Sequence, residues 1–76
     1  MELQKFISNF ASQFDETDVS VLTAQTEFKN LEEWSSLLAL SIIAMVDDEY
    51  EVAIKGDDIR TSQTIEDLYH IVKSKK

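Results

Sequence analysis

The chain has 76 residues, of which 15 are acidic and 7 are Lys or Arg, so its formal net charge at pH 7 is −8. A chain this short supports one domain, residues 1–76, with a single core and little room for a buried active site. It has no cysteine, which excludes disulfides and thiolate metal sites, and its acidity disfavours DNA or RNA as partners while favouring basic proteins.

The hydrophobic pattern gives no sign of a membrane span. The longest apolar run, residues 37–46, is interrupted by Ser41 and followed by Asp47 and Asp48, so it is well short of the roughly 20 residues that cross a bilayer. Residues 1–5 lack the basic start and apolar stretch of a secretory signal. We therefore expect a soluble, cytoplasmic monomer.

The first 34 residues predict one helix and one long loop. Residues 2–14 read as an amphipathic helix, because their apolar side chains recur at helical spacing. Residues 15–34 are rich in turn formers and show no sustained period, which predicts an ordered loop. The apolar stripe of the helix is Leu3, Phe6, Ile7, Phe10 and Phe14. The loop residues expected to fix the loop by burial are Phe28, Leu31 and Trp34.

A second helix is predicted from the serine pair Ser35-Ser36, one of which caps it, to about Tyr50. A rotation of about 100° per residue separates three groups of positions on this helix. The core arc contains Ala39, Ile42, Ile43, Val46 and Tyr50. The opposite face contains Ser41, Ala44 and Asp48. A surplus apolar flank contains Leu38, Leu40 and Met45.

The last third of the chain predicts two further helices. Val52 and Ile54 alternate with charged residues as in a strand, but they have no partner strand. Asp57 or Asp58 is expected to cap a short helical turn after Gly56, and Thr64 and Asp67 predict a capped terminal helix with a buried apolar stripe. The expected fold is all-α: a small four-helix bundle with three longer helices and one short one. The stripe of the terminal helix is Ile65, Leu68, Tyr69 and Val72.

Few residues suggest catalysis or metal binding. His70 is the one histidine, and a small hydrolase built on Ser36 and His70 would need tertiary contact to assemble. The carboxylates of residues 47–58 do not match a calcium-binding loop. Trp34 reads first as a core anchor and second as a ligand contact. The acids at residues 47–49 and 51 end a helix where the dipole disfavours them, so they predict either a docking surface for a basic partner or a solubilising face.

The serine pair can be a helix cap alone or can carry a modification. From Phe28 to about Val72 the chain resembles the acyl carrier protein family. The resemblance lies in Ser35-Ser36-Leu37 at the start of the second helix, in Asp47-Asp48-Glu49-Tyr50-Glu51-Val52-Ala53-Ile54 at its end, and in Thr64-Ile65-Glu66-Asp67 at the start of the last helix.

This resemblance implies an acyl-carrier-type bundle that is not an enzyme. It implies that Ser36 receives 4′-phosphopantetheine from coenzyme A, with Ser35 flanking it as a helix cap, and that the arm brings the thiol that holds acyl intermediates in fatty-acid, polyketide or related biosynthesis. An exposed hydroxyl at a helix N-terminus agrees with this role, because the free N–H groups there favour a phosphate. The apolar interior is a candidate shelter for the acyl chain.

The implied partners are a phosphopantetheinyl transferase and acyl-activating or acyl-transferring enzymes with basic docking surfaces. The family's aspartate before the attachment serine is Ser35 here, and Leu38 and Ser41 stand where many fatty-acid carriers have acids. These departures argue against service to an ordinary fatty acid synthase and leave two alternatives, poor modification or a dedicated set of partners. An aminoacyl or peptidyl carrier and an unmodified helical interaction module are the alternatives. The expected docking residues are Leu38, Leu40, Ser41, Met45, Asp47 and Asp48.

Overall fold

The computed structural model describes residues 2–76, so Met1 of the N-terminal stretch considered above lies outside it. The first helix, α1, spans Leu3–Ala11 and buries Phe6, Phe10 and Ala11. It ends earlier than its apolar pattern predicts, because the next N–H groups bond in tight turns: Gln13 donates to the Phe10 carbonyl at 3.2 Å and Phe14 to the Ala11 carbonyl at 3.0 Å. These turns still deliver Phe14 to the core.

The predicted long loop is ordered and contains two one-turn 3-10 helices, Val19–Val21 and Phe28–Asn30. The Asp18 carboxylate caps the first turn by accepting from the Ser20 N–H at 3.0 Å and its hydroxyl at 2.7 Å. Two backbone bonds tie the loop to the start of the last helix, from residue 65 to the residue 26 carbonyl at 3.2 Å and from residue 66 to the residue 24 carbonyl at 3.0 Å. Phe28 is fully buried, while Leu31 and Trp34 pack partly buried against the core.

The three remaining helices are α2 (Ser36–Tyr50), α3 (Gly56–Thr61) and α4 (Ile65–Lys75). The capping box of α4 is confirmed: Asp67 donates its N–H to the Thr64 hydroxyl, and its carboxylate accepts from the Thr64 N–H, both at 3.1 Å. In α3, Asp58 acts from inside the first turn, where its carboxylate accepts the Lys55 N–H at 2.9 Å. Between α2 and α3 the chain is extended, and no β-strand forms among residues 2–76.

The helices pack around one core. α1 lies against α2 and α4, and α3 lies against α2 and α4. Burial of apolar side chains from all four helices is the main stabilising contribution in a chain of this size. The all-α expectation is therefore confirmed. None of the helices described in residues 2–76 has the length and apolar character needed to cross a membrane.

α1 runs antiparallel to α2 along the core, as ring contacts at its two ends show. Phe6, near the start of α1, lies 5.7 Å from Tyr50, the last residue of α2. Phe14, just after α1, lies 6.4 Å from Trp34, just before α2. The start of α2 is therefore next to the end of α1 and the loop that follows it.

Candidate functional site

The two adjacent serines have different environments. Ser35 is the N-cap of α2, and its hydroxyl accepts from the Leu38 N–H at 3.4 Å. Ser36 is the first residue of the helix and is exposed. Among the described residues, no group forms a hydrogen bond with the Ser36 hydroxyl. Ser35 thus has a structural role, while the Ser36 oxygen is free to react.

The backbone around Ser36 suits an anionic group. The Ala39 N–H donates to the Ser35 carbonyl at 3.0 Å and begins the helical ladder, and the Leu38 N–H goes to the cap. Within residues 2–76, this leaves the N–H groups of Ser36 and Leu37 without an acceptor. They lie at the positive end of the α2 dipole, where a phosphodiester is favoured. The site therefore fits a phosphate-linked arm on Ser36.

Glu33 ties the loop after α1 to the chain just before Ser36. Its carboxylate accepts four hydrogen bonds: from the N–H groups of Asp15 (2.8 Å), Glu16 (3.0 Å) and Thr17 (2.7 Å), and from the Thr17 hydroxyl (2.7 Å). The Thr17 hydroxyl, followed by the Asp15 N–H, lowers the pKa of Glu33 to about 2. We call this arrangement the Glu33 clamp, and it fixes the approach of the chain to α2.

The Glu33 clamp was missed by the sequence analysis. Its contacts join residues 16 to 18 positions apart, and three of the four run to backbone N–H groups, which carry no side-chain pattern. The only local signals were an acid shortly before a helix cap and turn-forming residues near 15–18. Such signals do not specify which acid meets which turn.

An aromatic cluster lies next to the start of α2. Trp34 lies 5.0 Å from Phe28 and 6.4 Å from Phe14, and Phe10 lies 5.6 Å from Phe14 and 5.2 Å from Phe28, measured between ring centroids. Trp34 is partly buried in these contacts. Its observed surroundings are those of a core anchor.

The predicted apolar flank of α2 needs correction. Leu38 and Met45 are 9% and 7% exposed and belong to the core, whereas Leu40 is 63% exposed and Leu37, which the sequence analysis did not select for docking, is 75% exposed. The buried arc is rotated toward the Leu38 side because α2 is contacted by both α1 and α3. Helical periodicity alone predicts a single inner face. The prediction that Leu38 and Met45 form surface is therefore wrong.

One stripe of α2 faces solvent from end to end. Positions three and four apart lie on the same side of a helix. Leu37, Leu40 and Ala44 are exposed on its N-terminal part, and Asp47 and Asp48 on its C-terminal part. Ser41, beside the stripe, is partly buried. We call these five exposed residues the α2 stripe; it is apolar near Ser36 and acidic away from it.

The acidic end of α2 is held by tertiary contacts. Glu51 ends the helix in the left-handed conformation, with φ 56°, and its N–H reaches the Asp47 carbonyl at 3.0 Å. The Tyr50 hydroxyl accepts from Asn9 Nδ2 at 2.9 Å, and Lys76 Nζ donates to the Tyr50 carbonyl at 3.2 Å. The lysine brings a cation to the negative end of the helix dipole, which offsets part of the unfavourable acidic charge there.

His70 does not assemble a nucleophilic site with Ser36. It is exposed on α4, where its contacts are Glu66, at 3.9 Å between Nε2 and Oε2, and the ring of Tyr69 at 5.5 Å. No hydrogen bond joins it to Ser36 in the described part of the chain. Nor do residues 2–76 contain a group of three or more histidine and carboxylate side chains placed to hold a metal ion.

Comparison with known proteins agrees with this geometry. A family model described as a phosphopantetheine attachment site matches residues 4–72, nearly the whole chain. Comparisons with curated proteins and with solved structures gave no significant match. Members of the matched family are carrier domains that bear a 4′-phosphopantetheine prosthetic group. The free serine at the start of α2, the four-helix bundle and the extent of the match agree, and the chain belongs to the phosphopantetheine-attachment family of carrier domains.

Proposed function

We propose that residues 1–76 form a single acyl carrier domain, acting in the cytoplasm, with its 4′-phosphopantetheine arm on Ser36. It holds acyl intermediates as thioesters and presents them to enzymes of fatty-acid, polyketide or related biosynthesis, and it is not itself an enzyme. One observation carries the proposal: the Ser36 hydroxyl is exposed at the start of α2 and forms no hydrogen bond within residues 2–76, while its neighbour Ser35 caps the helix.

Each residue near Ser36 has a distinct part in this function. Ser36 presents the oxygen that would join the phosphate, the N–H groups of Ser36 and Leu37 would be available to it, and Glu33 keeps the preceding segment in place. When attached, the arm supplies the thiol that the cysteine-free chain lacks.

The α2 stripe is the surface we assign to docking. Leu37 and Leu40 offer exposed apolar contact beside the arm, and Asp47 and Asp48 attract a basic surface from further along the helix. The expected partners are a phosphopantetheinyl transferase and acyl-activating or acyl-transferring enzymes with basic docking surfaces. Leu38 and Met45 contribute to this surface only indirectly, by packing α2 on the core.

Intact mass after incubation with coenzyme A and a promiscuous phosphopantetheinyl transferase tests the attachment. The wild-type chain should gain one phosphopantetheine, Ser36→Ala should gain none, and Ser35→Ala should still be modified, since Ser35 supplies only a cap. Modification of Ser36→Ala would contradict the proposed position. Circular dichroism of each variant checks that α2 has formed.

Charge reversal tests the docking surface. Asp48→Lys should slow modification most at low ionic strength, because exposed charges act over about 10 Å at 0.1 M salt. Glu66→Lys, on α4, makes the same change in net charge away from the α2 stripe and serves as the control. Equal rates for the two variants would count against the α2 stripe.

The exposed leucines also favour a second candidate, an unmodified helical interaction module. Such a module would use Leu37 and Leu40 for binding without any arm. Failure of the wild-type chain to gain mass with several transferases would favour this candidate. An aminoacyl or peptidyl carrier would be modified at the same serine, so the two carrier types differ in cargo alone.

A further inference from the structure

The interior next to Ser36 is occupied by aromatic rings. Phe6, Phe10, Phe14, Phe28 and Trp34 form a connected series, which we call the aromatic column. Successive centroid distances are 6.4 Å from Phe6 to Phe10, 5.6 Å from Phe10 to Phe14, 5.2 Å from Phe10 to Phe28 and 5.0 Å from Phe28 to Trp34. The column follows the length of α2 on its inner side, because Phe6 meets Tyr50 at the far end.

The column reaches the start of α2, next to Ser36. Trp34, which is two residues before Ser36, lies within 6.4 Å of both Phe14 and Phe28, measured between ring centroids. Phe28 and Phe10 are fully buried and Phe14 is nearly so. An aliphatic chain directed inward from Ser36 would have to separate these rings, since packed interiors do not admit extra carbon atoms without displacement.

The surface beside the serines is mixed, with carboxylates and other polar side chains next to Leu37 and Leu38. A groove of about 230 Å³, open to solvent, lies there. The Glu33 clamp places a carboxylate at this groove together with the acidic side chain of Asp15. An aliphatic chain lying in it would cover the carboxylates of Asp15 and Glu33, and taking carboxylates out of water is unfavourable. The lining residues are Gln13, Asp15, Glu33, Ser35, Leu37, Leu38 and Ser41.

We propose that this carrier keeps its cargo outside the bundle, and that the cargo is a short or polar acyl group, not a long aliphatic chain. The inference rests on the proposed attachment at Ser36 and departs from the interior shelter expected from the sequence. A short or polar group needs no shelter from water, so the tight packing of the aromatic column is no disadvantage for carrying it. A long chain left in solvent would expose apolar surface that this fold does not cover.

Loading the wild-type protein with acetyl or octanoyl phosphopantetheine tests the inference. A promiscuous phosphopantetheinyl transferase moves the group from the matching acyl coenzyme A to the Ser36 hydroxyl and releases adenosine 3′,5′-bisphosphate. Intact mass verifies loading, and thermal unfolding and Trp34 fluorescence report on the interior. We expect the two midpoints to agree within about 1 °C and the emission maxima to coincide. A midpoint raised by more than about 5 °C by the octanoyl group, with a shifted Trp34 emission, would overturn the inference, since burial of the chain would have that effect.

Removing one ring should create the shelter that the wild type lacks. Phe14→Ala opens the column near Ser36, so the octanoyl load should stabilise this variant relative to the acetyl load. Val72→Ala removes core volume on α4, whose C-terminal end lies near Tyr50, and should show no such dependence. Phe14→Leu replaces Phe14→Ala if the latter does not fold. Equal midpoints for both loads in the Phe14 variant would overturn the role given to this ring.

The two proposals fail in different ways. If no variant and no wild-type sample gains mass, the attachment at Ser36 is wrong and the cargo inference falls with it. If the wild type is loaded and the octanoyl group alone stabilises it, the attachment stands and only the cargo inference is overturned.

Discussion

The two ends of α2 are built differently. The N-terminal end follows the local rules for a helix start, with Ser35 as cap, and it exposes what a partner can use: the Ser36 hydroxyl, Leu37 and Leu40. The C-terminal end violates local rules, with acids against the dipole and a left-handed Glu51. It depends on tertiary contacts from Asn9 and Lys76 to the last helical residue.

The outward side chains at the two ends of α2 differ in their effect on the stability of the helix. At the N-terminal end the outward side chains are free, and inward packing and the Glu33 clamp hold the backbone that carries them. At the C-terminal end the outward acids oppose helix formation, so their presence there agrees with the proposed docking role. Four changes test this contrast, beginning with the one of largest expected effect.

Phe28→Ala should destabilise the N-terminal end most. Phe28 is fully buried between Phe10 and Trp34, and loss of a core phenylalanine costs about 3–5 kcal/mol. Urea denaturation monitored by circular dichroism measures it. Leu40→Ala, which removes an exposed apolar side chain, is the control and should change stability by less than about 0.5 kcal/mol. Similar losses in both variants would contradict the assigned division between inner and outer faces.

Glu33→Gln should change the acid dependence of stability. Because the folded pKa of Glu33 is lowered to about 2 from an ordinary 4.5, its contribution is present above pH 4.5 and is lost as pH falls toward 2. The variant should lack this part of the acid transition in midpoints measured from pH 7 to pH 2. The control is Glu32→Gln. The Glu32 carboxylate forms no hydrogen bond in residues 2–76, so this variant should retain that part of the acid transition. An unchanged acid profile in Glu33→Gln would exclude the Glu33 clamp.

Tyr50→Phe should weaken the C-terminal end moderately. It removes the hydroxyl that accepts from Asn9 Nδ2 but keeps the ring packed on Phe6, so the expected loss is about 1 kcal/mol. Asn9→Ala removes the other partner, and a double-mutant cycle in urea isolates the bond. Additive losses in the cycle would mean that the bond contributes nothing.

Glu51→Gly should be mildly stabilising. The left-handed conformation of Glu51 costs a residue with a side chain about 1–2 kcal/mol, and glycine avoids this cost. Glycine also has more freedom in the unfolded chain, which opposes folding, so the expected net gain in stability is about 0.5–1 kcal/mol. The matched variant Glu49→Gly lies within the helix and should lose about 1 kcal/mol. Thermal unfolding compares the two, and destabilisation by both would show that the left-handed conformation is not strained.

Features set by neighbours in the chain were predictable. The Thr64–Asp67 capping box, the stripe of α4 and the all-α class follow from short-range patterns. The features that could not be predicted depend on tertiary packing. Contact with two helices rotates the buried arc of α2 and buries Leu38 and Met45. The sequence of the helix alone does not predict which of its flanks a neighbouring helix will cover.

The candidate site was predictable to the same extent. The serine pair marked the helix start, but only its geometry shows that Ser35 bonds the helix and Ser36 stays free. The Glu33 clamp required the loop to fold back across more than a dozen residues. The aromatic stripe of residues 6–14 was visible as core, whereas its continuation to Trp34 was not.

The Glu33 clamp also bears on how a cysteine-free chain controls a long loop. By joining residues 15–17 to residue 33 it closes a ring of chain in the folded state and so reduces the conformational freedom that the loop retains there. Unlike a disulfide, such a closure does not respond to the redox potential of its surroundings. The chain just before Ser36, the proposed attachment point for a thiol-bearing arm, is thus fixed by contacts that thiol exchange cannot open.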